Sequence, residues 1–114
     1  YWNIALLEGG RSRWGWTQNS LVVVDPETRT FRYTPDYLVL KHVSAFVEPG
    51  ARILPTWCVA GHDNQLVFRN PDGSVVVVLH NELDEVMPIR VLLGEQVLSL
   101  ELPAASFSTV VIPA

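Results

Sequence analysis

The sequence predicts a mainly β protein: an antiparallel β-sandwich preceded by a β-hairpin and one helix. From residue 51 onward, short runs of Val, Ile, Leu and Thr recur at near-regular spacing, separated by Gly, Pro, Asn and Asp. Two separators, Asn70-Pro71-Asp72-Gly73 and Gly94-Glu95, have the chemistry of hairpin turns. One stretch, opening at Thr34-Pro35-Asp36, carries helix-start signals. The chain has 114 residues, 48% of them hydrophobic, enough for one core and too few for two independent ones.

Trp2–Leu7 reads as a short buried strand that ends at Glu8-Gly9-Gly10. A long polar and aromatic loop follows to Ser20. Leu21–Val24 and Thr30–Tyr33 form a hairpin around Asp25-Pro26-Glu27-Thr28, where Pro after Asp suits a type I turn. Thr34 then acts as N-cap, Pro35 as first helical residue and Asp36 as first-turn acid. The helix is expected to run to about Val47 and stop before Pro49-Gly50. Its broad apolar face suits packing on a sheet.

The sandwich strands are expected at Arg52–Cys58, Gln65–Arg69, Ser74–His80, Ile89–Leu93, Gln96–Leu102 and Phe107–Ile112. Val75–Leu79 is apolar throughout and therefore central. Trp57, inside the first of these strands, is expected in the sandwich core. Cys58 reads as a small apolar strand residue. A single cysteine excludes an intrachain disulfide and a cysteine-rich zinc site.

The formal net charge is −4 with eight scattered Lys and Arg, which argues against nucleic acid as a partner. No apolar run approaches the roughly 20 residues of a membrane span. His42, His62 and His80 lack metal-ligand spacing, and His42 reads as a hydrogen-bonded structural residue. No metal or other cofactor is expected. The acids sit mostly in turns and helix ends. Glu8 stands at a strand end, where loop structure and a site role are both open. No nucleophile motif is present.

The aromatic cluster carries the remaining signal. Three of the four tryptophans fall within the first sixteen residues, beside Asn3, Gln18 and Asn19. Indole faces next to amides suit a hydroxylated sugar ring. Trp2 is open to either a core or a binding role, whereas Trp14 and Trp16 flank a glycine in a polar loop, a poor place for core. A chain that opens inside such a surface is expected to belong to something larger.

Taken in order, Trp2-Asn3-Ile4-Ala5-Leu6, Gly9-Gly10, Trp14-Gly15-Trp16-Thr17-Gln18-Asn19-Ser20, Val24-Asp25, Tyr33-Thr34-Pro35-Asp36-Tyr37, Lys41–Val47 and Pro49-Gly50-Ala51 resemble the C-terminal end of glycoside hydrolase family 30, the glucosylceramidase family. Val67–Val78 and Ser106–Val111 resemble that family's C-terminal β-sandwich. The resemblance covers essentially the whole chain. It implies a parent with a (β/α)8 barrel fused to a sandwich. Residues 1–50 would supply the end of the barrel (last strand, hairpin insertion, last helix) and residues 51–114 the sandwich.

It further implies a retaining β-glycosidase whose two catalytic glutamates precede Tyr1, so that no catalytic residue is expected here and the chain alone is expected to be inactive. Trp2 matches the tryptophan lining the subsite of the cleaved sugar, and Asn3 supports that strand end. Trp14, Trp16, Gln18 and Asn19 border the leaving-group side. The stretch after Gly9-Gly10 departs from the animal pattern and is more similar to bacterial members. A β-1,6-glucanase, β-glucosidase or xylosidase therefore fits as well as a glucosylceramidase. The implied partners are a β-linked glucoside, polysaccharide or glycolipid and the remainder of the barrel. The implied location is secreted, periplasmic or cell-surface. The competing readings are a non-catalytic carbohydrate-binding β-sandwich with Trp14 and Trp16 as its platform, and a purely structural or interaction module.

Overall fold

A computed structural model describes residues 1–114. Its elements are β1 (Ala5–Leu7), β2 (Val22–Asp25), β3 (Thr30–Tyr33), α1 (Pro35–Ser44), β4 (Arg52–Ile53), β5 (Gln65–Arg69), β6 (Val75–Asn81), β7 (Met87–Leu93), β8 (Gln96–Leu102) and β9 (Ser106–Ile112). The fold is mainly β with one helix, as expected. The chain divides into two compact units, Tyr1–Lys41 and His42–Ala114.

In the second unit, β4-β5-β6-β9 form an antiparallel sheet and β7-β8 a two-stranded one. Alternation sends Val75, Val77 and Leu79 to one face of β6, where they meet Leu102 of β8 in a buried cluster. Ile89, Val91 and Leu93 of β7 and Val110 and Ile112 of β9 pack around it. This is the sandwich core. Val76 and Val78 are buried on the opposite face of β6, so the valine run is a central strand covered on both sides.

Polar side chains hold the turns of this unit. Gly73 takes φ +92° and donates its N–H to Asn70 O at 3.0 Å, closing the expected four-residue turn. Buried Asn70 accepts from Glu48 N and donates to Phe46 O and Ser74 Oγ, fastening the segment after the helix to this turn. Asn81 is fully buried; its amide nitrogen reaches Glu85 O, Leu102 O and Pro103 O, and its oxygen accepts from Leu83 N. Gly94 takes φ +60° between Leu93 and Gln96, as a II′ hairpin requires. His42 is the hydrogen-bonded residue expected: Nδ1 lies 2.9 Å from Thr109 Oγ1. Phe107 stacks on His80 at 4.1 Å between ring centroids.

Two expectations for this unit are corrected. The strand expected over Arg52–Cys58 stops at Ile53, with one further ladder bond from Leu54 N to Val67 O. Pro55 has no N–H to donate and ends the pairing. Trp57 therefore lies outside any strand and is 84% exposed, not core. The helix, too, is shorter than its apolar pattern: α1 ends at Ser44, although Val47 N still bonds Val43 O.

In the first unit, β2 and β3 form the expected hairpin, and β1 adds to it in parallel through Ala5, Leu6 and Leu7 opposite Val22, Val23 and Val24. Two parallel neighbours cannot be joined by a tight turn. Residues 8–21 make the long return, and the candidate site is built on it.

Candidate sugar-binding surface

The return opens with a turn. Gly10 N donates to Leu7 O at 2.9 Å and Gly9 takes φ +64°. A Cβ on Gly10 would stand 2.9 Å from Leu6 Cβ, so the second glycine is needed for close approach. Arg11 and Thr17 then pair as an isolated bridge. Ser12 N bonds Trp16 O, and the Ser12 hydroxyl oxygen accepts from Trp14 N and Trp16 N. With Gly15 at φ +83°, these bonds fold residues 11–17 into a miniature hairpin.

That hairpin holds Trp14 and Trp16 at 70% and 68% exposure, with ring centroids 5.8 Å apart and planes tilted by 30°. The Arg13 guanidinium lies 5.5 Å from the Trp14 centroid, within cation–π range. Trp2 is 89% exposed within residues 1–114. Asn3 is half-buried. Its backbone oxygen accepts from Leu21 N, and its side-chain nitrogen reaches Asn19 O at 3.3 Å. It thus ties the residue after Trp2 to the far end of the return.

Gln18 and Asn19 border a cleft of about 360 Å³, together with Glu8, Arg32, Thr34 and Asp36. Trp2, Trp14 and Trp16 do not line it. Arg32 Nη2 lies 3.1 and 2.9 Å from the two Glu8 oxygens. The Thr34 hydroxyl, expected to cap the helix, instead reaches Ser20 O at 2.8 Å and Leu21 O at 3.2 Å. It joins the helix start to the end of the return. Asp36 accepts from the Tyr1 hydroxyl, and this hydrogen bond holds the Tyr1 phenol above its ordinary pKa.

Glu8 reads from the sequence as either loop structure or a site group, and its partner Arg32 could not be anticipated. Leu6 is opposite Val23 and Val23 opposite Arg32. Only this register, running through an intervening strand, brings Glu8 and Arg32 to one face. No group of three or more His, Cys, Asp and Glu side chains is placed to hold a metal. No helix is long and apolar enough to cross a membrane.

Residues 65–110 match the glycosyl hydrolase family 30 β-sandwich domain, and the chain fits the C-terminal part of a family 30 glycoside hydrolase. Among its relatives, the lysosomal acid glucosylceramidase of Mus musculus is 33% identical over 95 residues, 79% of this chain and 18% of that protein. SrfJ from Salmonella typhimurium superposes with a TM-score of 0.89 at 27% identity, over 97% of this chain and 25% of SrfJ. The endo-β1,6-glucanase BT3312 superposes with a TM-score of 0.84 at 23% identity, over 99% of this chain and 26% of its own, a likeness of fold alone. The chain thus spans about a quarter or less of the length of these relatives.

Proposed function

We propose that residues 1–34 form one wall of the sugar site of a retaining β-glycosidase, and that the sandwich is its accessory domain. The carrying observation is Trp2: a large indole, 89% exposed, at the start of a chain that superposes on SrfJ over 97% of its length. An indole face of this kind stacks on the C–H face of a pyranose, while neighbouring amides take up its hydroxyls. Asn3 holds the backbone beside Trp2. Gln18 and Asn19 supply amides on the leaving-group side, and Trp14 and Trp16 frame that side as one compact aromatic pair.

The two carboxylates of the double displacement come from sequence outside residues 1–114, on the remainder of a (β/α)8 barrel to which residues 1–50 contribute the last strand and helix. One protonates the leaving-group oxygen. The other attacks the anomeric carbon to form a glycosyl intermediate, which water then hydrolyses. The substrate is a β-linked glucoside, as polysaccharide or glycolipid, and the parent acts in a secreted, periplasmic or cell-surface setting.

The test is direct. Chain 1–114 alone should hydrolyse no aryl β-glycoside, and Trp2→Ala should abolish its retention by an immobilised β-glucoside without altering its circular dichroism. Turnover that disappears on mutating an acid within 1–114 would overturn the reading. One observation favours a second reading, a non-catalytic carbohydrate-binding module: the Trp14–Trp16 pair is displayed on its own hairpin. Retardation in a polysaccharide affinity gel that is lost in Trp16→Ala and kept in Trp2→Ala would select it.

A further inference from the structure

We infer that the cleft bounded by Glu8, Gln18, Asn19 and Arg32 is a subsite for a neutral hydroxylated ring, so that the leaving group is a saccharide and not a lipid chain. This rests on the reading of residues 1–34 as a wall of a glycosidase site, because loops that follow a barrel strand gather at the catalytic face. The cleft, about 360 Å³, falls within the roughly 300–1,000 Å³ common for small-ligand sites.

Its chemistry selects the ligand. Arg32 spends Nη2 alone on Glu8, leaving its Nη1 and Nε donors free, and each Glu8 oxygen keeps acceptor capacity. No intramolecular hydrogen bond holds the side-chain amides of Gln18 or Asn19. Donors and acceptors therefore both line one space. A vicinal diol suits such a lining, since every hydroxyl both donates and accepts. The carboxylate and guanidinium, 2.9 Å apart, offset each other's charge. An anion would meet Glu8 and Asp36, and a cation would meet Arg32. An alkyl chain would strip water from four polar groups and return no hydrogen bond.

The experiment titrates the 15N-labelled 114-residue chain with gentiobiose and cellobiose, and in parallel with octyl β-glucoside, following backbone, amide, indole and Arg Nε resonances. The disaccharides should shift Gly9, Gly10, the Gln18 and Asn19 side chains and Arg32 Nε. Octyl β-glucoside should move the Trp2 indole and leave the cleft signals in place. Glu8→Gln should weaken disaccharide binding by about tenfold or more, the scale of a lost hydrogen bond to a charged group, with the spectrum elsewhere unchanged because an exposed ion pair adds little stability. Arg32→Gln should do the same.

Disaccharide shifts at the Trp2 indole with none in the cleft would sink the subsite and leave the sugar wall standing. Cleft shifts that the alkyl chain of octyl β-glucoside reproduces would sink the choice of a saccharide. Cleft shifts with a silent Trp2 would support the subsite and remove Trp2 from the wall.

Discussion

Residues 42–114 enclose an apolar core, with Val75–Leu79 and Leu102 all buried, whereas Ser20 is the only buried residue of residues 1–41. The first unit keeps its shape through hydrogen bonds and aromatic contacts: Thr34 to Ser20 and Leu21, Asn3 to Asn19, Tyr33 stacked on Tyr37 at 4.0 Å. The residues proposed to meet substrate all lie in the unit without a core. On that proposal, burial and recognition fall on different stretches of chain. A tryptophan committed to packing offers no face to a ligand.

This contrast can be broken or sharpened by mutation. Asn81→Ala should have the largest effect, roughly 3 kcal/mol or more in urea unfolding, because it takes a fully buried amide away from Glu85 O, Leu102 O and the Leu83 N–H, while Pro103 O keeps the Ser106 hydroxyl. A loss below about 1 kcal/mol would mean that water replaces the amide. Gly73→Ala should follow at about 1–2 kcal/mol, since φ +92° strains any side chain and the added Cβ would stand 3.1 Å from Ala114 Cβ.

In the first unit, Thr34→Val should cost about 1 kcal/mol and alter tryptophan fluorescence more than the unfolding midpoint of the sandwich. Equal responses from both units would show that they unfold as one. Trp2→Ala should change stability by less than about 0.5 kcal/mol while abolishing β-glucoside retention.

The smallest effect is set by pH. The Ser74 hydroxyl and N–H hold the Asp72 carboxyl below its ordinary value. A carboxylate lowered in the folded state adds stability above its unfolded pKa, and that stability is lost as pH falls through the folded one. Ser74→Ala should therefore flatten the decline of stability below about pH 4, which unfolding midpoints across the acid range would register. An unchanged acid limb would remove Asp72 from the balance.

Much of residues 65–112 is legible in the sequence because two of its turns are marked by a residue with a specific backbone role. Gly73 and Gly94 mark φ > 0 turns, and an unbroken valine run marks the central strand. Beyond Ile53 the reading fails where an apolar run is followed through Pro55. There, hydrophobicity argues for a strand while the missing N–H forbids its pairing, and the hydrogen bond decides.

At the candidate site, the exposure of Trp14 and Trp16 follows from the polar, glycine-interrupted segment around them. Trp2 carries no such signal, since an apolar neighbourhood suits both burial and display. The Glu8–Arg32 pair is invisible for a geometric reason: its members are 24 positions apart and meet through a third strand.

The parallel pairing of β1 and β2 has a consequence for how such a surface can diversify. Their register is fixed by ladder bonds at both ends of the return, so residues inserted or deleted near Gly15 leave it untouched. Doubling a loop costs only about 0.6 kcal/mol in closure entropy. Arg11–Thr17 is thus a cassette that can be rewritten for a new ligand while the sandwich, and the chain's ability to fold, stays as it is.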